Sequence, residues 1–162
     1  MSYTLMSLGR SLGQTGVELP PPAPGTRSWQ FLPTAEFASA RRLFAALPRA
    51  IEESQEAIPT AGELEQFPEA EREQRMREIV RTDARMMHFM ALSDQLDALE
   101  LVLLDAQGVR LEAPNIGVTE LEIAPDDFRD VLSSIDADAD LSAALTPPIF
   151  LLVTSAASAV GT

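Results

Sequence analysis

The residues best placed to do chemistry are three aspartates, a lone histidine and two carboxylate pairs. Asp136, Asp138 and Asp140 alternate with alanines, which resembles the opening of an EF-hand loop with oxygen ligands at positions 1, 3 and 5. That loop requires a glycine at position 6 for its sharp turn and a bidentate glutamate at position 12. Leu141 and Pro147 stand there instead, so the segment is expected to be a solvated turn and no metal site is predicted. His88 sits among Met86, Met87 and Met90. Histidine and methionine both ligate haem iron, but one histidine with no attachment motif makes a weak case. Methionine is also a common filler of apolar stripes, and a core or interface stripe is the expectation. Glu52/Glu53 and Asp126/Asp127 could serve as acid and base. In a chain with 25 acidic residues such neighbours arise easily. Asp126 and Asp127 follow Pro125 and suit the first turn of a helix, where negative charge meets the helix dipole. The G-x-S-x-G, G-x-G-x-x-G and H-E-x-x-H patterns are all absent. No catalytic residue, cofactor or metal ligand is predicted, and the chain is read as non-enzymatic.

Residue types missing altogether sharpen that reading. There is no cysteine, which excludes disulfides, thiolate metal ligands and cysteine nucleophiles. All 12 basic residues are arginine, so there is no Schiff-base or P-loop lysine. The net charge of −13 is unevenly placed. Residues 1–50 hold five arginines and two acids, residues 51–100 five arginines and 13 acids, and residues 101–162 two arginines and ten acids. A mildly basic front thus precedes an acidic body. Such a body repels phosphate backbones and anionic membrane surfaces, so neither direct nucleic-acid binding nor membrane binding is expected. Its plainest consequence is solubility; the sharper reading is a basic protein partner, including the front of a second copy.

The elements expected to position these residues begin with an arm. Residues 1–33 hold five prolines and four glycines, which leaves no room for a long helix. Leu19–Pro24 is expected to be extended polyproline II, acting as a stiff spacer. Tyr3, Leu5, Leu8, Trp29 and Phe31 make the arm too apolar for a solvated tail, so it is expected to lie along a surface. Thr34 reads as an N-cap, followed by Phe37, Ala40, Phe44, Leu47 and Ile51 at helical spacing, with Pro48 kinking or ending the helix. Residues 52–67 are expected to be a loop with a short turn, in which Thr60 and Glu63 match a capping box. Pro68 is placed to open a helix running to about Leu92, with an apolar stripe through Met76, Ile79, Val80, Met86, Met87 and Met90. Pairs Glu71–Arg75 and Glu73–Arg77 are spaced to support it.

Beyond Leu99 the pattern becomes strand-like. Residues 99–104 and 109–112 read as a hairpin closed at Gly108, and residues 117–123 as a third strand. Pro125 opens a helix with Phe128, Val131, Leu132 and Ile135 on its buried face, and Ile149–Val153 is the densest apolar run. The fold class is therefore α+β: an extended N-terminal arm, two to three helices, then a small, mainly antiparallel sheet with one packed helix. The expected organisation is an arm over 1–33 and one acidic domain over 34–162, ending in an uncharged tail from 141 to 162. That tail is long enough to span a bilayer, but its prolines and small polar residues favour a buried strand. No secretory signal is read at the N-terminus.

These features point to a structural or assembly subunit that binds other protein subunits, copies of itself included. Its predicted interaction residues are Tyr3, Leu5, Leu8, Pro21, Pro24, Trp29 and Phe31 in the arm, and Ile149, Phe150 and Leu151 in the tail. Arm exchange is a device of virion shells and tails. By that analogy the chain is expected to be a phage or phage-like component, in a virion or a cytoplasmic assembly. The alternative is a small acidic chaperone or immunity-type inhibitor of a basic protein. A DNA-mimicking inhibitor is a third option, weakened by the arginines interleaved among the acids of residues 68–92.

Overall fold

A computed structural model describes residues 1–113, 115–138 and 147–155. The fold is α+β, as expected, but the strands begin at the N-terminus. The described elements run β1 (Thr4–Ser7), β2 (Arg10–Leu19), β3 (Thr26–Pro33), a 3₁₀ turn (Ala35–Phe37) and α1 (Ala38–Ala57). They continue with α2 (Ala61–Glu65), α3 (Glu69–Thr82), α4 (Ala84–Asp97), β4 (Val102–Leu104), β5 (Arg110–Leu111), β6 (Ile116–Leu121), α5 (Pro125–Ile135) and β7 (Ile149–Ser155). Two compact units result: Met1–Phe44 with Leu99–Thr162, and Ala45–Ala98. We call them the sheet unit and the helical unit.

All seven strands form one antiparallel sheet in the order β5-β4-β1-β2-β3-β7-β6. Residues 1–33 are therefore not an arm; they supply three adjacent inner strands. The glycines read as arm-formers serve strand geometry instead. Leu8 and Gly9, at φ of 48° and 79°, form the two-residue link between β1 and β2. Positive φ at both positions matches the primed turns that suit the twist of paired strands. Gly13 lies where a β-carbon would stand 2.5 Å from both the Phe31 ring and the Leu32 carbonyl oxygen. Of Leu19–Pro24, read as a polyproline spacer, Leu19 ends β2 and the rest belongs to the Pro20–Gly25 connection between β2 and β3. It is tied off by Thr26, whose amide and hydroxyl both donate to the Ala23 carbonyl.

Strand pairing sorts the buried side chains onto two faces. Trp29 lies opposite Leu152 and Phe31 opposite Phe150, so these four share one face. There Phe37 packs edge-on against Phe31 and Phe150 at ring separations of 5.3 and 5.2 Å, and stacks with Phe44 at 6.0 Å. Such ring pairs add about 0.5–1.5 kcal/mol each beyond the area they bury. Tyr3 meets Trp29 edge-on at 5.4 Å. The Arg27 guanidinium lies 4.6 Å from the Trp29 ring centroid while donating twice to the Glu18 carboxylate, at 3.0 and 3.2 Å. The other face carries Ile149, packed with Phe128 and Leu132 of α5 and flanked by Val17, Leu19, Leu121 and Ile123. Pro125 opens α5 as expected, yet Val131 and Ile135 of its predicted buried face are exposed.

The 102–104/110–111 hairpin and the strand at Ile149 form where the sequence placed them. β6 pairs with β7 at the end of the sheet opposite that hairpin, whose β4 strand pairs with β1. Thr34 does not cap α1. Its hydroxyl donates to the Ser11 carbonyl, and a 3₁₀ turn precedes the helix. α1 continues past Pro48 to Ala57, so the helix does not end at that proline. Asp140 and residues 141–146 and 156–162 of the uncharged tail lie outside the described residues.

Candidate docking surface of the helical unit

Physical chemistry makes demands on a helix of this length. Isolated helices shorter than ~12–15 residues are marginal in water, and most helical stability comes from packing an apolar face. α3, with 14 residues, buries none of its side chains. α4, also of 14, buries only Leu92. What holds these elements is largely local. The capping box expected at α2 is present: the Thr60 amide donates to Glu63 Oε2 at 2.8 Å, and the Glu63 amide to Thr60 Oγ1 at 3.4 Å. The Thr60 amide and hydroxyl both donate to the Glu63 carboxylate and hold it below the usual glutamate range, the backbone bond contributing most. Arg72 of α3 reaches back to donate to the Phe67 carbonyl at 2.7 Å, and Arg75 lies 4.1 Å from the centre of the Phe67 ring. Arg75 therefore does not take up the expected pair with Glu71, whereas Arg77 does pair with Glu73.

The single helix expected from Pro68 to Leu92 is broken at Asp83. Its backbone is extended, at φ −72° and ψ 125°, and its side chain accepts from the Arg85 amide at 2.9 Å. The same carboxylate takes Arg85 Nε at 3.2 Å and a terminal guanidinium nitrogen at 3.0 Å. Asp83 thus ends α3 and caps α4, and the Arg85 side chain holds its carboxyl below the usual aspartate range. The break divides the expected stripe. Met76 and Ile79 are half-buried on α3; Met86 and Phe89 are half-buried on α4. Met87 and Met90 turn outward, 54% and 45% exposed. With Ile51, Ile58 and Val80 they make five of the ten large apolar residues exposed among the described residues, in one third of the chain. Seven residues on from each methionine stand Asp94 and Asp97, so the outer side of α4 passes from thioether to carboxylate.

The unit also holds an open depression of about 330 Å³. Ala45, Ala46 and Ala50 of α1 line it, with the Arg49–Glu53 ion pair (2.7 Å) and His88 of α4. The unit holds six arginines and twelve carboxylates. Arg49, Arg77 and Arg85 pair with Glu53, Glu73 and Asp83, and Arg72 and Arg75 are engaged around Phe67. Among the described residues, Arg81 alone of the six has no partner, against nine carboxylates of the unit without an ion pair.

The predicted interaction residues lie elsewhere and are mostly buried. Tyr3, Leu5, Trp29, Phe31, Ile149 and Phe150 are buried in the sheet unit, and Leu151 is half-buried in β7. A side chain committed to the core presents no surface to a partner, which corrects their assignment. Leu8, Pro21 and Pro24 are exposed, but on two different hairpin loops. The expected basic front is also largely neutralised locally: Arg10, Arg27 and Arg41 pair with Glu36, Glu18 and Glu120. The sequence reading missed the outward turn of Met87 and Met90. The available signal was apolar density on more than one side of residues 84–97, beyond what one buried stripe requires. Among the described residues, no three His, Asp or Glu side chains converge as metal ligands, and no helix is long and apolar enough to cross a membrane. Asp136 accepts from the Asp138 amide at 3.1 Å, a local turn. No family model, curated protein or solved structure matches the chain.

Proposed function

We propose that this chain is a non-enzymatic assembly subunit that docks another protein through its helical unit. The observation that supports the reading is α3 and α4 themselves, two 14-residue helices with one buried side chain between them and exposed methionines on the outer side. Contiguous exposed apolar surface marks interaction sites more often than chance, and methionine adapts to varied partners. The sheet unit buries its aromatic residues on itself and acts as the stable carrier. Since residues 1–33 provide no free arm to exchange, the assembly role rests on the helical unit. The excess of unpaired carboxylates favours a second reading, an acidic chaperone or immunity-type inhibitor of a basic protein. The two differ in lifetime: a subunit stays in a stable particle, whereas an inhibitor binds one partner reversibly.

The test is the double substitution Met87→Asp/Met90→Asp in the full chain, expressed in its native source. The complex mass is read by light scattering and the sheet unit by Trp29 emission. The expected result is loss of the complex with buried-tryptophan emission unchanged. A complex of undiminished mass overturns the proposal.

A further inference from the structure

Resting on that docking role, we infer that the occupant of the helical unit is a basic amphipathic helix of a partner protein, seated with one bulky apolar side chain in the alanine-lined depression. Three features of this unit converge on that chemistry. The depression supplies concavity: Ala45, Ala46 and Ala50 leave about 330 Å³ between α1 and His88, room for a side chain of leucine or phenylalanine size. Anchoring residues at protein interfaces fill pockets of this kind. Met87, next to His88 in the chain, supplies further exposed apolar surface, whereas Met90 lies roughly 160° round α4 from His88 at about 100° per residue. A helix laid in a groove presents its anchors at i, i+3 or i+4, and i+7.

Charge then selects among helices. Among the described residues, Glu52 and Glu56 on α1, and Asp94 and Asp97 on α4, make no ion pair, and Arg81 is the unit's one arginine without a partner. A second copy would bring its own excess of carboxylates against these, and like charges across an interface oppose docking. An arginine- or lysine-flanked helix instead meets carboxylates without an ion pair on both α1 and α4. Complementary charge of this kind speeds encounter and fixes orientation more than it adds affinity, so the apolar anchor carries the hold and the rim carries the choice of partner.

The experiment uses the full chain and two synthetic helical peptides of about 18 residues with the same leucine face. One carries lysine and arginine on its polar face; the other carries glutamate. Binding is followed by fluorescence anisotropy. The basic peptide is expected to bind one per chain, at least about tenfold tighter than the acidic one. Its binding should weaken as salt rises from about 0.05 to 0.5 M, because screening shortens across that range. Ala45→Phe, which fills the depression from an exposed position, should weaken it about tenfold with circular dichroism unchanged. Equal binding of both peptides overturns the inference. So does basic-peptide binding that neither Ala45→Phe nor Met87→Asp reduces, since that is charge attraction without a seat. Concentration-dependent self-association of the chain, abolished by Met87→Asp, would assign the face to a second copy and overturn it as well. If the basic peptide fails while Met87→Asp/Met90→Asp still dissolves the native complex, the docking role stands and only the occupant's chemistry falls.

Discussion

Gly13 and Phe31 approach so closely across adjacent strands that a β-carbon on the glycine would lie 2.5 Å from the phenylalanine ring. The Leu32 carbonyl oxygen is equally close, and backbone yields less readily than a side-chain tip. Gly13→Ala is therefore expected to destabilise the sheet unit by at least about 2 kcal/mol, the range in which overpacked cores fall. At Gly16 the nearest atom is the end of the Gln30 side chain, also at 2.5 Å, and the same change should cost less. Urea unfolding followed by Trp29 emission checks both. The reverse order would contradict this account of the β2–β3 packing.

Leu8 holds a left-handed backbone, φ 48°, with its side chain 64% exposed. A leucine there gains little from burial and bears a steric cost of roughly 1–2 kcal/mol. Leu8→Gly should therefore raise stability by about 1 kcal/mol and lift the thermal midpoint of the sheet unit. An unchanged or lowered midpoint would mean that the exposed leucine makes a contribution the turn geometry does not explain.

Asp83 gives the helical unit a pH dependence. Hydrogen bonds from the Arg85 side chain depress its carboxyl in the folded state. Its contribution is thus present above the unfolded carboxylate value of about 3.9 and is lost as pH falls through the lower folded value. Helicity by circular dichroism should differ between the native chain and Asp83→Ala at neutral pH. That difference should close in acid, below about pH 4. A gap that persists at the lowest pH would show that Asp83 acts without its charge.

Much of the helical and C-terminal half was legible in the sequence because the cues were local. The Thr60/Glu63 capping box, Pro125 opening a helix, the hairpin around Gly108 and the apolar run from Ile149 each depend on a few neighbouring residues. Residues 1–33 misled because the same glycines and prolines that break helices also make turns and close strand approaches. Only the distant partner reveals which. Gly13 is explained by Phe31, and Trp29 by Leu152, more than a hundred residues away. The exposed methionine side of α4 was partly visible as methionine density. What hid it was Asp83, whose cap breaks one periodic stripe into two helices and leaves Met87 and Met90 facing outward.

The central claim, that α3 and α4 are completed by a partner, is tested most directly by hydrogen exchange on the chain alone and within its native complex. In the free chain, amides of residues 69–97 should exchange far faster than those of the inner strands β1, β2, β3 and β7, because few buried contacts hold them. In the complex, new protection should be concentrated in residues 69–97 and the second half of α1. Slow exchange of α3 in the free chain, or new protection confined to the sheet unit, would contradict the account.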